Sequence, residues 1–222
     1  MVLLAAGSGS RVGADRNKVL LTVQGLPVLA HSLRAVEQVG GLVTLVVVAR
    51  EGEEATAAEL ARQHTSVPFR VVTGGATRHA SEWAALQDLG AQIDVGDLDV
   101  VAIHDSARPL ATPELWRAVV TAADRHGGAI PARPQAGLIE RSGEGREVLD
   151  LVGVQTPQAF RARPLLAAYR QAAADGFEGT DTAACVARHT DLPIVAVPAP
   201  ATNLKVTFAE DVALAERLLS LR

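Results

Sequence analysis

A short apolar run near the start of the chain leads directly into a loop of small residues that carries two cations. Gly7 and Gly9 lack a Cβ atom, so backbone N–H groups in residues 3–18 can close on an anion. Arg11 offers a planar fork of donors for phosphate oxygens, and Lys18 offers a compact charge on a flexible stem. This combination predicts a cradle for a triphosphate at the carboxyl end of a first strand.

The spacing of these glycines differs from the two common nucleotide-binding motifs. A P-loop has four residues between its glycines and then Lys and Ser or Thr, whereas the dinucleotide fingerprint has a third glycine where this chain has Val12. A glycine-rich turn with solvated basic residues is the alternative interpretation. The apolar run before the loop and the two spaced cations favour the phosphate cradle.

A second candidate site follows a later apolar stretch, where Asp105 stands three residues before Arg108. A carboxylate at the end of a strand can hold Mg²⁺ whose other ligands are water and phosphate oxygens. The alternatives are a turn or capping role for Asp105 and an ion pair between Asp105 and Arg108. Taken alone, Lys205 is typical of a solvated charge, and His104 and the single cysteine, Cys185, are interpreted as structural residues.

Composition narrows the class of protein. The 222 residues are 48% hydrophobic but only 3% aromatic, which suits one α/β domain over 1–222 and disfavours a stacking platform for single-stranded nucleic acid. The formal net charge of −4 attracts neither nucleic acid nor an anionic membrane, so a phosphate site has to be local. No apolar run is long enough to span a membrane and no basic leader is visible, which predicts a cytoplasmic enzyme.

Strands and helices are predicted to alternate along the first 130 residues. The predicted strands are 1–5, 43–49, 69–73, 98–103, 128–132, 194–197 and 203–206. The predicted helices begin at Pro27, 51, Thr77 and Thr112, cover 164–174 and 180–189, and end with a C-terminal helix behind a capping box at 207–210. This alternation predicts a three-layer α/β fold with a mainly parallel sheet.

Two features of this layout bear on function. Ligands of such sheets bind at the carboxyl ends of the strands, where the glycine loop, Gly74, Gly75, Asp105 and Lys205 are all predicted to lie. The polar, glycine-containing segment 135–154 interrupts the alternation and is predicted to protrude as an arm or a small hairpin.

Several short motifs occur in one order along the chain and are jointly specific. They are Ala5-Ala6-Gly7-Ser8-Gly9-Ser10-Arg11 with Lys18, Gly74-Gly75 with Arg78 and Ser81, His104-Asp105-Ser106-Ala107-Arg108-Pro109, Thr156-Pro157-Gln158, Thr180-Asp181 and Asn203-Leu204-Lys205-Val206-Thr207. In this order the chain resembles, over nearly its whole length, the 2-C-methyl-D-erythritol 4-phosphate cytidylyltransferase family, whose sister family is the ribitol-5-phosphate cytidylyltransferases. The resemblance implies a Rossmann-like nucleotidyltransferase fold and a homodimer joined through the arm. It also implies transfer of CMP from CTP to the polyol phosphate in non-mevalonate isoprenoid biosynthesis.

The resemblance also implies a role for each matched residue. Nucleotide binding would involve Ala5, Ala6, Gly7, Gly9, Gly75, Ser81 and Ser106. The catalytic cations would be Arg11, Lys18 and Lys205, the ligand of the Mg²⁺ cofactor would be Asp105, and the acceptor-binding residues would be Arg108 and Thr156.

Three departures from the family pattern concern substrate recognition. The segment 134–138 replaces an Asp-Thr pair, and Val148 stands where the family has an arginine, with Arg141 and Arg146 out of register. Ala76 stands where the family often has an aspartate beside the nucleotide. The sequence therefore leaves the identity of the acceptor phosphate open. A cytidylyltransferase for another polyol phosphate, such as ribitol 5-phosphate, and a non-catalytic nucleotide-binding homologue are the alternatives.

Overall fold

A computed structural model describes residues 1–7, 17–135 and 151–221 of the chain. Its strands are β1 (Val2–Leu4), β2 (Thr22–Val23), β3 (Leu26–Pro27), β4 (Leu45–Ala49), β5 (Phe69–Thr73), β6 (Val100–Asp105), β7 (Gly128–Pro134), β8 (Val152–Val154), β9 (Gln158–Arg161) and β10 (Ile194–Pro198). Its α-helices are α1 (Val28–Glu37), α2 (Glu54–His64), α3 (Arg78–Val95), α4 (Pro113–His126), α5 (Ala162–Asp175), α6 (Thr182–His189) and α7 (Ala209–Leu219). None of the helices in these ranges is long and apolar enough to cross a membrane.

Eight of the ten described strands form one large sheet in the order β10-β7-β9-β6-β1-β4-β5, with β8 paired to β7, while β2 and β3 form a separate antiparallel pair. The first strand, β1, lies between β4 and β6 and runs parallel to both. The edge strands β5 and β10 are also parallel to their neighbours, whereas β9 is antiparallel to both β6 and β7. The sheet is therefore mainly parallel, as the sequence predicts.

Helices cover both faces of this sheet and make three layers. The side chain of Leu3 in β1 packs with α1, α2 and α4 on one face, while those of Val2 and Leu4 pack with α3, α5 and α6 on the other. All five residues of β4 are buried, which is why its sequence is continuously apolar rather than alternating. The predicted three-layer α/β architecture is confirmed.

Side-chain caps mark three of the seven helix starts in the described ranges, those of α3, α4 and α6. The Thr77 hydroxyl accepts a hydrogen bond from the Ala80 N–H at 3.1 Å, as predicted. Thr112 caps α4 ahead of Pro113, also as predicted. At α7, the predicted capping box at 207–210 is wrong in its residues: the carboxylate belongs to Asp211, which accepts from the N–H groups of residues 207 and 208, and the N-cap residue Phe208 has no side-chain acceptor to complete the box.

Two segments differ from the prediction because their contacts are long-range. Residues 158–161, which follow a Thr-Pro turn, form the short central strand β9, and Phe160 is fully buried there. The predicted strand 203–206 is absent: the Val206 N–H bonds to the Ala107 carbonyl, but those of residues 203 and 204 bond locally to the carbonyls of residues 200 and 202, so no ladder forms. Four residues after a turn, of which only two are apolar, carry too little periodicity to reveal a buried strand.

The segment 135–154, predicted as an arm or a small hairpin, begins and ends in antiparallel pairing. Val152–Val154 pair antiparallel with β7, and the Gln135 N–H donates to the Leu151 carbonyl at 2.9 Å, so both ends of the segment belong to the main sheet. The central residues 136–150, which include Arg141, Arg146 and Val148, lie outside the described part of the chain.

Candidate active site

One cavity of about 560 Å³ lies at the carboxyl ends of the central strands. It is bounded by the residues that follow β1, β4 and β5, by the last residue of β6, and by the segment before α7. Its lining residues are Leu4, Ala6, Gly7, Lys18, Val19, Arg50, Glu51, Gly74, Gly75, Ala76, Thr77, Arg78, Ser81, Asp105, Ala107 and Lys205. The structure thus brings together predicted site residues that are widely separated in sequence.

The buried amide of Asn17 closes the far end of the glycine loop onto the first strand. Its Nδ2 atom donates to the Ala5 carbonyl at 2.7 Å and to the Glu53 carboxylate at 2.6 Å. This places Lys18 beside Gly7, where a Cβ atom on the glycine would lie 3.8 Å from the lysine Cε. No sequence pattern indicated Asn17, because a single asparagine next to a lysine carries no signal that it is buried.

Two predicted residues of the loop, Gly9 and Arg11, lie outside the described residues. Ala6 lines the cavity, whereas Ala5 is buried behind it. The loop therefore contributes Ala6, Gly7 and Lys18 to the described wall of the cavity.

The glycine pair after β5 is required by close backbone packing. A Cβ atom on Gly74 would lie 2.4 Å from the Cβ of Ala6, and one on Gly75 would lie 2.4 Å from the Cβ of Ala80. The Ser81 hydroxyl accepts from the Gly75 N–H at 3.2 Å and fixes this turn against α3. A larger residue at either glycine would therefore force the turn or its neighbours to shift.

Asp105 ends β6 between two cations. Its Oδ1 accepts from Arg78 Nε at 3.0 Å, and its Oδ2 accepts from Lys205 Nζ at 2.5 Å. Burial alone would raise the pKa of Asp105, but the two cations outweigh burial and hold that pKa well below its usual range. Asp105 is therefore ionised at neutral pH.

The donor set at Asp105 fits a hard cation that takes most of its ligands from elsewhere. No three His, Cys, Asp or Glu side chains converge into a metal cage within the described ranges. An ionised carboxylate has about four lone-pair positions, and Arg78 and Lys205 occupy one on each oxygen. The remaining positions are available to Mg²⁺, which commonly binds through one or two carboxylates together with water and phosphate oxygens.

Behind Asp105, the buried carboxylate of Glu82 holds the other side of Arg78. Arg78 Nη1 donates to Glu82 at 2.7 Å, and the Tyr169 hydroxyl donates to the same carboxylate at 2.8 Å. Burial raises the pKa of Glu82, and the neighbouring cation of Arg78 opposes that shift. Sequence analysis noted Arg78 within a motif but gave it no role, and it did not single out Glu82.

The two predicted acceptor-binding residues lie beside Asp105 but outside the described lining of the cavity. The Thr156 hydroxyl is buried, accepts from the Asp105 N–H at 3.0 Å and makes a hydrogen bond of 3.0 Å to His104. Arg108 Nη1 donates to the Asn203 carbonyl at 2.8 Å, and its Nε is buried without a hydrogen-bond partner in the described ranges. Thr156 therefore supports the backbone of Asp105, and Arg108 ties β6 to the segment that carries Lys205.

Two further residues after β6 are buried under the cavity. Burial lowers the pKa of His104 to about 3, so its ring is neutral, which agrees with its interpretation as a structural residue. Ser106 is 0% exposed and donates its backbone N–H to the Leu4 carbonyl at 3.0 Å, so it lies below the cavity wall. Arg50, which follows β4 and lines the cavity, was not indicated by any sequence motif.

Comparison with known proteins assigns this arrangement to one family. The family model described as 2-C-methyl-D-erythritol 4-phosphate cytidylyltransferase matches residues 1–221. A relative of that name from Symbiobacterium thermophilum is 39% identical over 99% of this chain and 92% of its own length. Another of that name from Bacillus mycoides is 34% identical over 99% of this chain and 96% of its own length.

Solved structures agree with this assignment. The 2-C-methyl-D-erythritol 4-phosphate cytidylyltransferase of Thermus thermophilus superposes with a TM-score of 0.76 at 30% identity, covering 99% of this chain and 98% of that chain. A 4-diphosphocytidyl-2C-methyl-D-erythritol synthase from Anaerococcus prevotii gives a TM-score of 0.84 at 25% identity, with 99% and 96% covered. These matches confirm the resemblance carried by the motifs: the chain belongs to the 2-C-methyl-D-erythritol 4-phosphate cytidylyltransferase family.

Proposed function

We propose that the protein transfers CMP from CTP to 2-C-methyl-D-erythritol 4-phosphate, a step of non-mevalonate isoprenoid biosynthesis, with release of pyrophosphate. The observation that supports this most directly is the cavity at the strand ends. There Lys18 lies beside Gly7, and Arg78 and Lys205 bind Asp105, in a chain of this family. CTP is used inside the cell, so the proposed reaction implies a cytoplasmic enzyme.

The reaction is an in-line displacement at phosphorus. An oxygen of the acceptor phosphate attacks the α-phosphorus of CTP, and the bond from that phosphorus to the bridging oxygen of the β-phosphate breaks. The electron pair leaves with pyrophosphate. No general base is needed, because a phosphate monoester is already largely ionised near pH 7. The protein therefore has to offset the repulsion between two anions and align them.

The cations of the site offset the repulsion between the two anionic reactants. Lys18 faces the space beside Gly7, where the triphosphate would be held, and Arg11 of the same loop adds a second cation in the proposal. Lys205 reaches the same cavity from the far end of the chain and is oriented by its ion pair with Asp105. Fixed charges in a partly enclosed site stabilise developing charge at the α-phosphate without reorganisation.

The base and sugar of CTP would lie along the glycine turns. Ala6, Gly7 and Gly75 present backbone close to the cavity, and Ser81 fixes the Gly75 turn. Ala76 lines the same wall, so a contact that a carboxylate could make with the nucleotide is replaced here by a methyl group. Backbone groups therefore provide most of the polar contacts to the nucleotide in this proposal.

We infer Mg²⁺ as the cofactor, with Asp105 as its protein ligand. When bound, Mg²⁺ neutralises phosphate charge. Asp105 contributes an ionised carboxylate at a fixed position, because Arg78 and Lys205 hold both of its oxygens. Arg108 and Thr156 are proposed to hold the acceptor side, Arg108 through its remaining N–H groups and Thr156 by supporting the strand end.

We also propose a homodimer joined through the segment 135–154. The proposal of a dimer is supported by exposed apolar side chains on strand β8 and the residue before it. Leu151, Val152 and Val154 are 40%, 51% and 43% exposed. An exposed apolar edge strand is a surface that a second chain can cover. In this proposal the segment completes the acceptor site of the partner subunit.

The first test is pyrophosphate release from CTP in the presence of Mg²⁺ and a panel of polyol phosphates. Purified protein should release pyrophosphate with 2-C-methyl-D-erythritol 4-phosphate and much more slowly with ribitol 5-phosphate or without an acceptor. A higher kcat/KM for ribitol 5-phosphate would instead assign that compound as the acceptor substrate. Tight CTP binding with no release for any acceptor would instead indicate a non-catalytic nucleotide-binding protein.

Lys18→Ala should lower turnover by about 10²–10³-fold, because it removes one preorganised charge from the triphosphate. Arg11→Ala should act in the same direction. Steady-state kinetics and thermal melting of the purified variants check this, and the melting temperature should change little. Arg62→Ala is the matched control, since Arg62 forms an exposed ion pair with Glu59 on α2. Wild-type turnover in Lys18→Ala would remove the glycine loop from the mechanism.

Asp105→Asn should lower kcat and raise the Mg²⁺ concentration needed for half-maximal activity. The reason is that a neutral amide is a poorer ligand for a hard cation than a carboxylate. A Mg²⁺ titration of activity, with CTP saturating, measures both effects. Asp94→Asn, which changes an exposed carboxylate paired with Arg170, is the control and should titrate like the wild type. An unchanged titration for Asp105→Asn would reassign Asp105 to a structural turn.

Replacing residues 136–150 by Asn-Gly should yield a folded monomer with a raised KM for the acceptor and an almost unchanged KM for CTP. The design is compatible with the fold because Gln135 and Leu151 are already paired, so a two-residue turn closes the β7–β8 hairpin. Sedimentation and steady-state kinetics measure the outcome.

A milder probe of the same interface is Val152→Asp, which should weaken the dimer without altering the loop. Its control is Val95→Asp, at an exposed valine (71%) that ends α3. A fully active monomer after replacement of 136–150 would contradict the role of this segment in acceptor binding. A dimer that survives both changes would place the interface elsewhere.

A further inference from the structure

Beneath the cavity lies a buried carboxylate that the proposed reaction does not use. Glu82, in α3, is 0% exposed. Taking a carboxylate out of water carries a large desolvation cost, so a buried one requires several donors to compensate it. Glu82 has three: Arg78 Nη1 at 2.7 Å, the Tyr169 hydroxyl at 2.8 Å and the Thr182 hydroxyl.

Two of these donors, the hydroxyl groups of Tyr169 and Thr182, bind Glu82 from the side that faces the protein interior. Tyr169 belongs to α5 and Thr182 to α6, and both side chains are fully buried. The ring of Tyr169 also stacks on that of His79, with centroids 4.7 Å apart, so its hydroxyl is held in place. Glu82 is therefore fixed with respect to two helices that take no part in forming the cavity wall.

Arg78 transmits this fixed position to the site. One edge of its guanidinium binds Glu82, while its Nε binds Asp105 Oδ1 at 3.0 Å. A guanidinium is planar and rigid, so carboxylates on two edges determine its plane, whereas one carboxylate leaves it free to turn. One of the two ion pairs that orient Asp105 is thus the end of a chain of two charge-assisted hydrogen bonds that starts at Glu82, and the other comes from Lys205.

We propose that Glu82 is a positioning residue for the transfer reaction: it holds the Arg78 guanidinium in the plane that orients the Asp105 carboxylate toward the reacting phosphates. This inference rests on the proposed function, because the orientation of Asp105 affects turnover only if that reaction takes place. Without the charge of Glu82, Arg78 can follow Asp105 or turn toward a substrate phosphate. Misorientation of a group that acts in the transition state lowers kcat more than it raises KM.

Glu82→Gln tests the proposal, since it keeps the shape and the carbonyl acceptor but removes the charge. We expect kcat for pyrophosphate release to fall about tenfold or more, with both KM values within about twofold of the wild type. Glu59→Gln, the same chemical change on the exposed face of α2, is the matched control and should match the wild type. A kcat of Glu82→Gln equal to that of this control would overturn the inference.

A double-mutant cycle separates positioning from a purely structural role. If Glu82 acts through Arg78, adding Glu82→Gln to Arg78→Lys should lower kcat little further, because a lysine cannot bridge both carboxylates. If the two losses multiply instead, Glu82 acts through packing alone and the inference is wrong. Should Glu82→Gln fail to fold, Glu82→Asp takes its place: it keeps the charge but retracts it from Arg78, and an unchanged kcat would refute the proposal.

The same assays distinguish this inference from the proposed function. Active wild-type protein with unaffected Glu82 variants overturns the inference and leaves the function standing. Wild-type protein that releases no pyrophosphate with any polyol phosphate overturns the proposed function and this inference with it.

Discussion

The structure depends on one electrostatic constraint: the carboxylate of Asp105 is buried at the end of β6 and needs both Arg78 and Lys205. Burial by itself would raise the pKa of Asp105 and favour the neutral acid, and only the two cations reverse this. Arg78 starts α3, whereas Lys205 lies 100 residues beyond Asp105 in sequence. A correctly charged site therefore requires three distant parts of the chain to meet.

This constraint explains why the segment around Lys205 is extended without being a strand. The Asn203 amide donates to the Thr156 carbonyl at 3.0 Å, and Arg108 donates to the Asn203 carbonyl. These bonds cross the strand ends instead of running along an edge of the sheet, so no ladder can form. Partly buried ion pairs of this kind contribute little net stability because their desolvation cost offsets their attraction, and what they specify is position.

Sequence alone could predict the elements whose causes are local. The continuously apolar β4, the cap at Thr112 and the Gly74-Gly75 pair each leave a signal within a few consecutive residues, although it is the distant Ala6 that leaves no room for a Cβ atom on Gly74. It could not predict β9, Asn17 or the Glu82 network, because their causes are contacts between distant residues. A glutamate four residues after an arginine on a helix is typical of an exposed ion pair, and nothing in the sequence shows that helices α5 and α6 cover it.

Structural constraint also differs between the two halves of the site in the proposed function, the nucleotide half and the acceptor half. The nucleotide half is built from backbone turns in which Gly74 and Gly75 have no room for a Cβ atom, so the fold itself restricts what can change there. The acceptor half, in the proposed function, uses Arg108 together with the segment 135–154, whose described ends are held by the β7–β8 pairing. A side chain at Gly74 or Gly75 would have to displace Ala6 or Ala80, so these two positions of the glycine turn cannot vary without a shift of their neighbours. Two of the three departures from the family pattern, at positions 134–138 and 148, concern the proposed acceptor half instead, and Ala76 is the one that lies in the wall of the cavity.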